Sequence, residues 1–334
     1  MSALRQVRGW LSAKRRFQFC LTLVMVTGLT AACGALLMLP NSVLPKLRAV
    51  VPGADALVAS DPQVPGVKRI MDSYGDVVAE PVTTGSGKVG VVLGHPAHST
   101  DMAVLSGELA AATVAVSAFW GSDWSQAPVV VVASSPAEFA ALTHATGDVP
   151  ASVAASTVSD VFRPGTAPTG QRVVFGPEAA ARLGADGLRS VLRHELTHVA
   201  TRAVTVDGSP LWMLEGFAEY SAHRGMHTPV AEIAPTLTAR ARSGNIPADL
   251  PSDASFAPAN GDAAVAYEQA WSACAFIADH YGEPQLISLY RQLASGPKDP
   301  AAVDAIFRGT LATAYPDFLA RWHSWISTRA TEGA

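Results

Sequence analysis

His194-Glu195-Leu196-Thr197-His198 sets two imidazoles and a carboxylate within five consecutive positions. On an α-helix, at about 100° per residue, the two histidines lie about 40° apart and one turn above the other, so both rings reach a single ion. Glu195 projects about 60° from His198, close enough to touch a metal-bound water without ligating the ion. That is the place of a general base. A structural zinc is usually closed by four protein ligands, whereas a catalytic one takes three and keeps a position for water. Glu215, in Leu211-Trp212-Met213-Leu214-Glu215-Gly216-Phe217-Ala218-Glu219-Tyr220, is the candidate third ligand.

These side chains need helices to hold them. The first starts near Asp186 and buries Leu188, Leu192, Leu196, Val199 and Ala203, while Arg189, Arg193 and Thr197 form a polar face. The second starts after the loop Val204 to Gly208, with Ser209 as N-cap and Pro210 at the first helical position. Upstream, the patterns predict a helix over 101–119, a strand over 128–133, a helix over 135–144 and a strand over 171–175, with a turn-rich stretch over 149–170 between the last two. Downstream they predict helices over 229–242, 262–281, 284–295, 299–308 and 316–328. Strands come early and helices late, which argues an α+β fold.

HELTH followed after sixteen residues by the Glu of WMLEGFAEY resembles the gluzincin group of zinc metallopeptidases, most closely the compact peptidase MA-like domains found on membrane-anchored bacterial proteins. The resemblance spans roughly residues 100 to 330, with its strong motifs within 190–222. It implies a zincin-like domain over 101–330 and one Zn2+ ion held by His194, His198 and Glu215. It also implies Glu195 as acid/base and a peptide or protein as substrate. By the same likeness Glu219 hydrogen-bonds a ligating histidine, fixing its tautomer; a solvated Glu219, or one that trades places with Glu215 as ligand, is the alternative. Tyr267, 52 residues past Glu215 on a helix with an apolar stripe of Ala263, Ala270, Trp271, Cys274 and Ile277, matches the family's oxyanion donor; a core tyrosine with its hydroxyl at the edge is the alternative, and His280 is a weaker candidate for the donor. Asp207 is a minor alternative ligand. His223 and His227, like His95 and His98, read as surface histidines. The same ligands also suit a non-catalytic, membrane-tethered zinc-binding or scaffold domain, the alternative function.

Charge and hydropathy bound the rest. Of the 24 Lys and Arg residues, seven fall in residues 1–48, which hold no acid, so the following 286 residues carry 17 basic against all 28 acidic side chains. An acidic body excludes a nucleic-acid partner, which would need basic surface to neutralise phosphates. Residues 17–39 contain no charge and are long enough, at about 1.5 Å per residue, to cross a hydrocarbon core of about 30 Å. Lys14, Arg15 and Arg16 directly before them predict a basic cytoplasmic tail over 1–16 and a single-pass type II anchor in the cell membrane, with the body outside. The run is longer than the apolar stretch of a cleaved signal peptide. Residues 40–100, rich in Pro, Gly and Val, read as a stalk and irregular membrane-proximal segment. Cys274 is the lone cysteine of the body, so no disulfide forms there.

Overall fold

Short valine-rich runs build the sheet on which the helices rest. The computed structural model describes residues 62–331 apart from 147–149, 151–152, 162, 164, 227 and 258–262, so the expected tail and transmembrane segment over 1–39 lie outside the described residues. The strands are β1 (Val78–Thr83), β2 (Val89–Gly94), β3 (Val129–Val132), β4 (Ala155–Val158) and β5 (Arg172–Phe175), in the order β1-β2-β3-β5-β4. β2, β3 and β5 run parallel, and the edge strands β1 and β4 run antiparallel to their neighbours. β3 and β5 are buried at every position, as continuous apolar strands covered on both faces are.

Alternation along the strands sorts their side chains into two cores. Val91, Leu93, Val129, Val131 and Val174 meet the helices α1 (Val64–Met71) and α3 (Pro136–Thr143) on one face. Val92, Val130, Val132, Val173 and Phe175 meet α2 (Ser99–Trp120) and α4 (Ala179–Thr201) on the other. Beyond α4 the chain is helical: α5 (Leu211–His223), α6 (Val230–Ile233), α7 (Pro235–Arg242), α8 (Ala263–His280), α9 (Glu283–Leu293), α10 (Pro300–Leu311) and α11 (Tyr315–Thr331). The fold is therefore α+β, with one small mixed sheet and a mostly helical carboxy-terminal half.

Several local expectations are corrected. The irregular structure expected over 40–100 holds α1, β1 and β2. Pro81, which argues against a strand, sits on the edge strand β1, where a missing N–H disrupts no central ladder. The turn-rich stretch 149–170 hides the four-residue β4. Ser209 does not cap α5: its hydroxyl donates to Val206 O at 2.7 Å and accepts from Gly296 N at 3.0 Å, while Asp253 Oδ1 accepts the exposed Leu211 N–H at 2.8 Å. α4 extends upstream of Asp186 but is broken at Gly184, whose φ of 66° is non-helical, so the segment carrying HELTH does begin just before Asp186.

Among the described residues, one helix, Pro96–Trp120, is long and apolar enough to cross a membrane. It contains α2, whose Met102, Leu105, Leu109, Ala112 and Val116 are fully buried in the core shared with the sheet and α4. Its Glu108 binds Arg193 of α4 at 2.6 Å. One face of the helix is thus spent inside the protein, while Val114 on another face is exposed.

Candidate metal centre

Leu188, Leu192, Leu196 and Val199 anchor α4 in the core, which leaves the adjoining edge of the helix to present His194, Glu195 and His198 to a cleft. The polar face expected around Arg189, Arg193 and Thr197 is partly a helix–helix seam. Arg193 pairs with Glu108, and the buried Thr197 hydroxyl lies 2.8 Å from that of Ser221 on α5. This second contact pins α5 against α4 beside Glu215.

One ligand atom each from His194, His198 and Glu215 lies within 4.8 Å of the other two. The Nε2 atoms of the histidines are 3.1 Å apart, and Glu215 Oε2 is 3.2 Å from His194 Nε2 and 3.6 Å from His198 Nε2. Two imidazole nitrogens and one carboxylate oxygen, converging and largely shielded from solvent, are a donor set that suits a divalent transition metal. The residues therefore fit a metal ion. Glu219, one turn beyond Glu215, places Oε1 3.2 Å from Nδ1 of His194.

Burial alone lowers the pKa of His194, but hydrogen bonds and charge from Glu215 and Glu219 more than reverse this and raise it well above the usual imidazole value. Burial likewise opposes ionisation of Glu215 and Glu219, and the neighbouring histidines override it, holding both carboxyls below their usual range. The cluster keeps its carboxylates ionised and ready to face a cation.

Glu195 is buried and points along the cleft. Thr157 of β4, a residue the sequence did not single out, donates to its Oε2 at 2.6 Å and also lies 3.1 Å from its backbone oxygen. A four-residue strand without a long alternating pattern offers no sequence signal for this contact. Tyr267 stands on α8 with its ring 6.5 Å from that of His194. Burial first, then the charges of Glu215, Glu219 and Glu195, push its pKa upward, so the phenol keeps its proton and remains a donor.

α8 comes this close because Gly216 is bare. A Cβ there would collide with the Ala270 carbonyl of α8 and stand 3.0 Å from Cys274 Sγ. Two cavities flank the cluster and share Ala155, His194, Glu195 and Tyr267. One, of about 400 Å³, is walled by Val153, Val191, Phe256 and Ala264; the other, of about 390 Å³, by Ser156, Thr157, Arg202 and Asp207. Among the described residues β4 pairs only with β5, and it borders both cavities.

The remaining candidates fall elsewhere. Asp207 is exposed in the polar cavity and outside the His-His-Glu cluster. His280 is exposed at the far end of α8 and stacks on Phe276. Three histidines expected at the surface are buried or half-buried. His95 is buried, with Nε2 2.8 Å from Glu138 Oε1 and Nδ1 2.9 Å from Asp76 O. His223 is half-buried at the end of α5, with Nε2 3.6 Å from Glu219 Oε2. His98 is half-buried beside Asp101, and His227 lies outside the described residues. No family model matches the chain, and no curated protein matches its sequence.

Proposed function

We propose that the chain is a zinc-dependent peptidase of gluzincin type, with a zincin-like fold over its body, that hydrolyses peptide bonds outside the cell membrane to which residues 17–39 anchor it. The observation that carries this reading is the convergence of His194, His198 and Glu215 with an unligated carboxylate, Glu195, held beside them. Three protein donors among the described residues, rather than four, favour a catalytic over a structural ion. Zinc held there supplies Lewis acidity and a water-derived nucleophile at neutral pH.

Each remaining part of the work falls to the chain. The open edge of β4 offers backbone N–H and C=O groups to an extended substrate, as sheet edges do when they take up a peptide strand. Glu195, oriented by Thr157, accepts a proton from the attacking water and returns it to the leaving amine. Tyr267, kept protonated, donates to the carbonyl oxygen as negative charge develops on it. Glu219 holds the ring of His194 in place. Cavities on both sides of Glu195 leave room for chain beyond the scissile bond in each direction, which favours an endopeptidase.

The test compares wild type with Glu195→Gln for metal content and for cleavage of a peptide library. The substituted protein retains its zinc and loses turnover by about 10²–10⁴-fold, the worth of a positioned acid/base. Undiminished turnover at equal metal content would overturn the assignment.

A further inference from the structure

Positions 194, 198 and 202 follow one another at helical spacing, so the edge of α4 that turns two histidines toward the cleft carries Arg202 one turn further on. Arg202 is half-buried on the wall of the polar cavity. Among the described residues it is the one Lys or Arg lining either cavity beside Glu195. Its Nε donates to Ser159 Oγ at 3.2 Å and its Nη1 to Thr205 O at 2.6 Å. Both acceptors are neutral, so they fix the guanidinium without cancelling its charge. A guanidinium oriented in this way suits a carboxylate, whose oxygens match its planar fork of donors.

The sheet margin acts as a ruler for where that carboxylate would lie. Thr157 touches Glu195 and Ser159 touches Arg202, so Arg202 stands two residues further along this stretch of chain than Glu195, about 7 Å at strand spacing. The direction is toward the carboxyl end of β4; its amino end, with Val153 and Ala154 before it, borders the apolar cavity instead. An added strand pairs somewhat more stably antiparallel than parallel. The amino-terminal part of an antiparallel substrate lies over the carboxyl end of β4, beside Arg202. Asp207 shares the wall of the polar cavity but is exposed, so water and salt screen it more than the half-buried Arg202.

We propose that Arg202 is a specificity-determining residue that selects peptides with an acidic side chain within two residues on the amino-terminal side of the scissile bond. This rests on the peptidase reading for the bond that is cut, so binding and cleavage are measured separately. Three pools of fluorescein-labelled octapeptides, random except for Glu, Gln or Lys fixed at the fourth position, are titrated by anisotropy against the full-chain Glu195→Gln protein with zinc present. The same pools are given to wild type, and the cut sites are read by mass spectrometry. The expected result is that the Glu pool binds about tenfold tighter than the Gln pool, the difference between a charge-assisted and a neutral hydrogen bond, with the Lys pool weakest. Wild type cuts with Asp or Glu enriched at the two positions before the bond. Arg202→Gln or Arg202→Met erases the order of the pools, Arg202→Lys keeps part of it, and Asp207→Asn preserves it. Binding in the expected order without cleavage would leave acid recognition at Arg202 standing and overturn the peptidase reading alone. Cleavage with equal binding of the three pools, a preference for Lys, or an order that persists in a folded Arg202→Gln or Arg202→Met protein would overturn the proposal alone. Neither binding nor cleavage would overturn both.

Discussion

Gly216→Ala tests whether the contact between α5 and α8 sets the metal centre. In a helix exposed to solvent, replacing Gly by Ala stabilises by about 1 kcal/mol. At position 216 the added methyl meets the Ala270 carbonyl, part of the α8 backbone, which cannot swing aside as a side chain can. Restoring ordinary contact requires the helices to part by about 1 Å. Overpacking of this kind costs about 1–3 kcal/mol, and against backbone it falls in the upper part of that range, so it offsets the propensity gain and leaves a net loss of up to about 2 kcal/mol. The displacement falls on Glu215, one residue away, and on Tyr267, one turn before Ala270. Misplacement by about 1 Å costs about 10²-fold in turnover where groups must converge. Thermal melts with and without a chelator read the stability, and competition with a fluorescent zinc indicator reads the affinity. Gly309→Ala, on α10 with open space around it, is the matched control and should raise stability. A Gly216→Ala protein that melts no lower than wild type and binds zinc as tightly would show that close helix approach does not position the ligands.

Thr157→Val removes the hydrogen bond to Glu195 while keeping the side-chain shape; zinc content stays constant and kcat falls about tenfold, with little change in KM. Tyr267→Phe lowers kcat by about 10²–10³-fold at unchanged metal content if the phenol meets the oxyanion, whereas a loss confined to KM would remove it from that role. Because His194 is protonated well above its usual pKa in the metal-free protein, an incoming ion must displace that proton, so zinc affinity falls as pH is lowered through the raised value. Calorimetry in buffers of different ionisation enthalpy should record the released proton, and pH-independent affinity across that range would contradict the cluster's electrostatics.

The residues of the candidate metal centre were legible because a helix converts sequence spacing into spatial spacing: positions 194 and 198, and 215 and 219, each fall on one face. Long periodic helices such as α8 and α11 were readable for the same reason. β1, β2 and β4 were not: the equally short β3 and β5 stand out as unbroken apolar runs, whereas Glu80 and Pro81 interrupt β1, Gly90 and Gly94 interrupt β2, and β4 is half polar. Thr157 and Asp253 act through partners 38 and 42 residues away, and Gly216 matters only through the backbone of another helix. His95 reads as a loop histidine until Glu138, 43 residues later, is seen to meet it in the core.

The two margins of the sheet are not equivalent. β1 carries Glu80 and Pro81, a charge and a missing donor that discourage another strand from adding to it. β4, Ala155-Ser156-Thr157-Val158, has neither safeguard. An unguarded margin invites unwanted pairing between copies as readily as it welcomes a wanted guest, so at high concentration self-association should begin there. Its brevity is the protection that remains: four residues offer a foreign chain too few ladder rungs for a lasting grip.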